Sequence, residues 1–276
     1  MLFGRSYSTN LQEIVIHFGP HKTATTSIQV LLRNKATEIK THGVFIPDSS
    51  LGTAGFHELP WSIKGWDTQF ICDRKESRRS REIIRDLSRD IRDSGYSRAV
   101  VSSEDFSILS FRELSNLIRH LKRYCLSKNG KILLVGANRD LISLKHSAYG
   151  QLVRLGLNKE YSEIEMDLER HFTRVFKKMR LLAFIIPRVR LSTSEYNSNN
   201  FVELWIKRYV SDQLILGSTP DVLNKSLDIL KTEGLRKINM QIGINWETSR
   251  LFDWPSQHTK SSWELLQRNQ KDFLHD

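Results

Sequence analysis

Residues 19–27, GPHKTATTS, set one lysine among small and hydroxylated residues, between an apolar run, IVIHF (14–18), and an amphipathic stretch, IQVLLRNKATEI. A strand that turns here into a helix points unpaired backbone N–H groups, and the positive end of the helix dipole, at whatever lies beyond. Lys22 adds a mobile point charge, and Thr23, Thr25, Thr26 and Ser27 add hydroxyl donors. Each hydrogen bond to a charged group contributes roughly 1.5–3 kcal/mol net, so three or four would hold a phosphate-type anion firmly. A helix that merely begins with a cap needs one hydroxyl, not four and a lysine. The stretch does not match the nucleotide-binding pattern GxxxxGK[ST], because Lys22 follows Gly19 by three residues and no glycine directly precedes it.

The rest of the chain supplies strands and helices to carry such a loop. HGVFIP (42–47) reads as a second strand, residues 48–67 as a loop carrying His57, Trp61 and Trp66, and VVSSE (100–104) as a third strand leading into Ser103–Asp105. KILLVGANRD (131–140) is the clearest strand, and LLAFIIPRVRL (181–191) reads as a last one, with Pro187 limiting its pairing. Helices are expected over 73–93, where Ile83, Leu87 and Ile91 make one apolar stripe, and over 111–125, 161–180, 199–215 and 221–238. Strands alternating with helices predict an α/β fold: a P-loop-like three-layer arrangement with a central, mainly parallel sheet flanked by helices. No internal repeat or linker divides the chain, so residues 1–276 are expected to form a single domain, with 1–12 a flexible arm.

Composition narrows the partners. Of 276 residues, 39% are apolar and 26% charged, an ordinary globular balance, and the formal net charge of +11 favours anionic partners. Two distant cysteines, Cys72 and Cys125, argue against a disulfide framework or a zinc ribbon, and no His/Cys cluster has metal-ligand spacing, so no metal is expected. No run approaches a transmembrane length and the amino end lacks a signal-peptide core, which predicts a soluble, cytoplasmic protein. The charged helix over 73–93 mixes both signs, so nucleic acid is not an expected partner.

HFGPHKTATTSIQ (17–29) resembles the 5′-phosphosulfate loop of sulfotransferases that use 3′-phosphoadenylyl sulfate (PAPS), and the KTGTTSIQ-like form of the bacterial and carbohydrate-directed branches above all. The loop's lysine and Thr-Thr pair fall on Lys22, Thr25 and Thr26. Ala24 stands where the family usually has glycine, and would be strained if that position needs a positive φ. A second match lies in LLVGANRDLISLKHSAYGQ (133–151), where Arg139 follows a strand and Ser147 comes eight residues later, the family's 3′-phosphate pair. The physics agrees: arginine offers a planar fork to phosphate oxygens, and eight residues is about two helical turns. RVRLSTSEYNSNNFVELWIKRYV (188–210) is a weaker echo of bacterial sulfotransferase-like proteins, and the glycine-rich carboxyl-terminal loop of the small-molecule branch is not visible.

The resemblance implies PAPS as co-substrate, bound by Lys22, Thr23, Ala24, Thr25, Thr26, Ser27, Arg139 and Ser147, with Lys22 stabilising the leaving bridging oxygen. The expected acceptor is a hydroxyl on a glycan or glycolipid. Two residues compete as its base. Glu104 lies in SSE (102–104), which overlays the segment where small-molecule family members carry a catalytic histidine; it is equally readable as a helix-capping carboxylate. His57 lies in the loop after the second strand, another source of the family's base. Trp61 and Trp66, near His57, fit either sugar stacking or core packing. Two other readings compete: a P-loop-like nucleotide kinase, and a basic nucleic-acid-binding module without catalysis.

Overall fold

A computed structural model describes residues 10–19, 25–48, 56–65, 79–154, 157, 159–195 and 201–213. In chain order the elements are β1 (Glu13–His17), α1 (Thr25–Asn34), α2 (Ala36–Thr41), β2 (Val44–Phe45), α3 (Glu58–Ile63), α4 (Ser80–Asp93), β3 (Arg98–Ser102), a 3-10 turn (Glu104–Ile108), α5 (Phe111–Tyr124), β4 (Lys131–Asn138), α6 (Leu141–Arg154), α7 (Tyr161–Ile185), β5 (Val189–Glu195) and α8 (Phe201–Tyr209).

The five strands form one sheet in the order β2-β3-β1-β4-β5, and every pairing is parallel. The expected three-layer α/β fold is what the chain adopts. β1 is central, and Ile14, Val15 and Ile16 are wholly buried, as a strand covered on both faces requires. Parallel crossovers are right-handed, so a change in direction along the sheet moves the connecting helix to the other face. From β1 the chain steps outward to β2; the later steps, β2 to β3, β3 to β4 and β4 to β5, all run the other way. Helices therefore cover both faces. α1, α2 and α8 lie on one, with α8 against α1; α4, α5 and α7 pack on the other. The apolar stripe expected in α4 is the buried one, with Ile83, Leu87 and Ile91 all in the core.

Two boundaries differ from the sequence expectation. The run 181–191 is not one strand: α7 continues to Ile185, and β5 begins only at Val189. Burial of Val175, Met179 and Leu182 holds helical period through the apolar run, and the change comes at Pro187 and at Arg188, whose φ is +62°. The stretch 48–67 holds a short helix, α3, whose Leu59 and Trp61 are drawn into the core. The helix expected over 221–238 and most of the amino-terminal arm lie outside the described residues.

β1 and β4 meet closely where β1 ends. The Phe18 N–H donates to the Val135 carbonyl at 2.9 Å. A methyl group on Gly136 would stand 2.7 Å from Met179 Cε and 3.2 Å from the Phe18 carbonyl oxygen. The methionine end can move; the backbone oxygen is fixed by the sheet. Gly136→Ala is expected to destabilise the protein by about 1–2 kcal/mol, measured as a lower urea midpoint at unchanged slope.

Candidate functional site

In parallel sheets of this kind, ligands bind beyond the carboxyl ends of the strands, where neighbouring connections diverge. Here that point lies between β1, whose connection runs towards β2, and β4, whose connection runs towards β5. The chain segments leaving these two strands are the two that the sequence marked for anion binding. Gly19 packs along β4: a Cβ placed on it would lie 3.6 Å from both Gly136 Cα and Ala137 N. Lys22, Thr23 and Ala24 lie outside the described residues. On the far side of that gap, Thr25 and Thr26 open α1, and Ser27 is partly buried in its first turn. Arg139 directly follows β4, which runs on to Asn138, three residues past Val135, the partner of β1's last residue. Ser147 is on α6, the helix after Arg139. The structure thus brings the end of β1, the start of α1 and Arg139 to one edge of the sheet.

The two base candidates, read from sequence as alternatives, are neighbours. β3 lies on the other side of β1, with Ser102 in register with His17, so Glu104 emerges at the same edge. The Phe56 N–H donates to the Ser102 carbonyl at 3.0 Å, which delivers His57 to the end of β3. His57 Nε2 is 4.0 Å from Glu104 Oε2, and both side chains are largely sheltered. His57 Nδ1 lies 2.6 Å from Asp105 Oδ2 and 3.1 Å from Ser103 Oγ. A carboxylate only accepts, so the close Asp105 contact puts the proton on Nδ1 and turns Nε2 towards Glu104. Trp61 Nε1 donates to the same Asp105 oxygen at 2.8 Å. That contact and its burial make Trp61 a support for Asp105 rather than a platform for sugar. Trp66 lies outside the described residues.

Gln29 completes the cluster. Its Nε2 donates to Glu104 Oε2, so the helix that begins at the anion loop holds the carboxylate at the end of β3. Gln29 Oε1 is buried and has no hydrogen-bond partner among the described residues. Sequence reasoning passed over Gln29 and Asp105. The available signal for Gln29 was a polar residue on the inward face of α1, between Ile28 and Leu31. Asp105 stands next to Glu104, at the end of the Ser103–Asp105 stretch.

Two lysines fix the turn from beneath. Lys178 of α7 donates to the carbonyls of Ser107 (2.6 Å) and Leu109, at the end of the 3-10 turn that carries Glu104 and Asp105. Burial pulls its ammonium down to about 8, against the pull of Glu113. Lys64, just after α3, pairs with Glu113 at 3.4 Å, tying the His57 helix to the first turn of α5. At the end of β1, His17 is enclosed: Nδ1 lies 2.8 Å from Ser102 Oγ, its ring rests 4.7 Å from that of Trp205, and burial pushes its pKa down to about 3. It is a neutral core residue under the site.

Among the described residues no group of three or more His, Cys, Asp or Glu side chains is arranged to hold a metal ion, and no helix is long and apolar enough to cross a membrane. What stands at the carboxyl edge of the sheet is a helix start, an arginine and a histidine held between two carboxylates. No protein-family model matches this chain, and no curated protein matches it.

Proposed function

We propose that this chain is a sulfotransferase that moves a sulfuryl group from PAPS to an acceptor hydroxyl, on a carbohydrate such as a glycan or glycolipid. One observation carries the reading: the point where the connections of β1 and β4 diverge is bordered by Gly19, the start of α1 and Arg139, and a held histidine lies one strand away at the same edge. The residues fit the bisphosphate end of the co-substrate. Donors at the start of α1 suit the 5′ side, and Arg139 with Ser147 suits the 3′-phosphate.

PAPS supplies the activated sulfuryl group; the chain does the rest. His57 Nε2 takes the proton of the acceptor hydroxyl as its oxygen bonds to sulfur and the sulfur–phosphate oxygen bond breaks. Adenosine 3′,5′-bisphosphate departs with that bridging oxygen, whose growing charge Lys22 neutralises. Asp105 holds the imidazole in the tautomer that leaves Nε2 as acceptor and stabilises the imidazolium once formed. Glu104, kept in place by Gln29, faces the same nitrogen and either shares the imidazolium charge or acts as base itself.

Calorimetry with adenosine 3′,5′-bisphosphate tests the reading. Binding without added metal is expected, and Arg139→Ala should weaken it by more than about tenfold, the loss of one charge-assisted pair. Lys22→Ala should abolish transfer while sparing much of that affinity. Absence of binding, or an unchanged Arg139→Ala, overturns the proposal. Preference for ATP with magnesium would instead favour the nucleotide kinase, and steeply salt-dependent RNA or DNA binding that ignores Arg139 would favour the basic nucleic-acid module.

A further inference from the structure

At the opposite, amino-terminal edge of the sheet the surface changes character. α7 ends there with Leu181, Phe184 and Ile185, spaced i, i+3, i+4 on one stripe and turned to solvent. Phe184 is 88% exposed, Ile185 46% and Leu181 39%, an unusual outlay of large apolar side chains on one helix end. The two chain segments that form this corner carry no carboxylate. Between Glu113 and Asp140, and again between Glu169 and Glu195, the sequence has Lys and Arg but no Asp or Glu. These two stretches meet at this corner: Lys122 Nζ donates to the Pro187 carbonyl at 2.6 Å, and Arg188 donates to the Lys128 carbonyl. Lys128, Lys177, Arg180 and Arg188 are exposed, and none forms an ion pair among the described residues.

From this geometry we infer that the carboxyl-terminal end of α7 and the turn at 186–188 form a docking surface for an anionic lipid membrane. A helix end with a short apolar stripe beside several exposed cations matches the headgroup boundary: the apolar side chains enter the acyl edge, and the ammonium and guanidinium groups remain at the phosphate level. A nucleic acid, or an acidic protein, would use the cations but would gain little from Leu181, Phe184 and Ile185. The contact is peripheral. The site proposed above lies at the other, carboxyl edge of the sheet, so docking at this corner does not engage it, and the inference stands or falls apart from the sulfotransferase reading.

Co-sedimentation of the full chain with vesicles tests it. Vesicles containing about one-third phosphatidylserine should capture the protein, with capture falling as salt rises, and pure phosphatidylcholine vesicles should not. Phe184→Ser and, separately, the double variant Lys177→Glu/Arg180→Glu should each lower capture by about tenfold or more. Both changes fall on exposed positions, and an unchanged far-UV circular dichroism spectrum and unchanged calorimetry with adenosine 3′,5′-bisphosphate would show that fold and cleft are intact. Failure of the wild-type chain to bind the anionic vesicles at low salt overturns the inference. So does equal capture of Phe184→Ser and wild type, which would reduce the effect to diffuse charge attraction.

Discussion

Asp105→Asn is expected to lower the turnover of sulfuryl transfer by about 10²-fold, and His57→Ala by about 10³-fold, with affinity for adenosine 3′,5′-bisphosphate within about twofold of wild type in both. The two variants separate position from charge. One oxygen of Asp105 receives both the Trp61 N–H and the His57 Nδ1 proton. An asparagine can place its amide oxygen there and keep both hydrogen bonds. The imidazole then stays where it is, and what disappears is the negative charge beside the imidazolium formed when the acceptor's proton arrives. The loss should therefore fall on kcat and not on KM. His57→Ala removes the acceptor nitrogen itself. Glu104→Gln completes the comparison, because glutamine can still receive the Gln29 N–H while offering no base. Full inactivation by Glu104→Gln beside an active His57→Ala would move the base to Glu104. An Asp105→Asn enzyme with wild-type turnover would show that the negative charge beside the imidazole takes no part, and a fully active His57→Ala enzyme would remove the histidine from the chemistry.

The second large effect is on stability in acid. His17 is fully enclosed between β3 and α8, and burial holds its pKa near 3 against an ordinary 6.5. Between those values the unfolded chain binds a proton at this position and the folded chain does not, so stability falls as pH drops from 6.5 towards 3. Over the whole interval the one residue is worth about 4–5 kcal/mol, a large share of a typical domain's total. Replacing it with phenylalanine keeps a ring against Trp205 but strands the Ser102 hydroxyl, at a cost of about 1 kcal/mol near neutrality. Urea denaturation at a series of pH values between 7 and 4 should show His17→Phe slightly less stable than wild type at the top and more stable at the bottom. Parallel curves would mean that His17 is not the group that resists protonation. Lys178 acts with the same sign in a higher window. Its pKa is lowered from 10.5 to about 8, so the cost of burying its charge is present below pH 8 and is relieved as pH rises from there towards 10.5.

Local signals were read well where they sat inside one element. The stripe Ile83, Leu87, Ile91 is the buried face of α4, and IVIHF and KILLVGANRD are neighbouring central strands. The strand-to-helix passage around Lys22 was legible because a short apolar run, a polar loop and a periodic helix follow one another without a break. The run 181–191 was misread because apolar continuity alone does not separate a buried helix from a strand. Helix α3 was missed because six residues are too few for a period, and its formation depends on Leu59 and Trp61 finding the core.

The amino-acid sequence by itself determined the class of fold, a strand end and a helix start on either side of residues 20–24, and the placement of Arg139 just after a later strand with Ser147 on the helix that follows. These are properties of spacing along the chain, set by backbone period and by the chemistry of single side chains. Only the tertiary structure decided that His57, Glu104 and Asp105 form one cluster, that Gln29 links it to α1, and that Trp61 serves as a support. Those contacts join residues 48 and 75 positions apart. They exist because β3 pairs beside β1 in a register that aligns Ser102 with His17, and because Phe56 bonds to the end of β3. Strand order and register are settled by the packing of the whole core, and no local stretch of the chain encodes them.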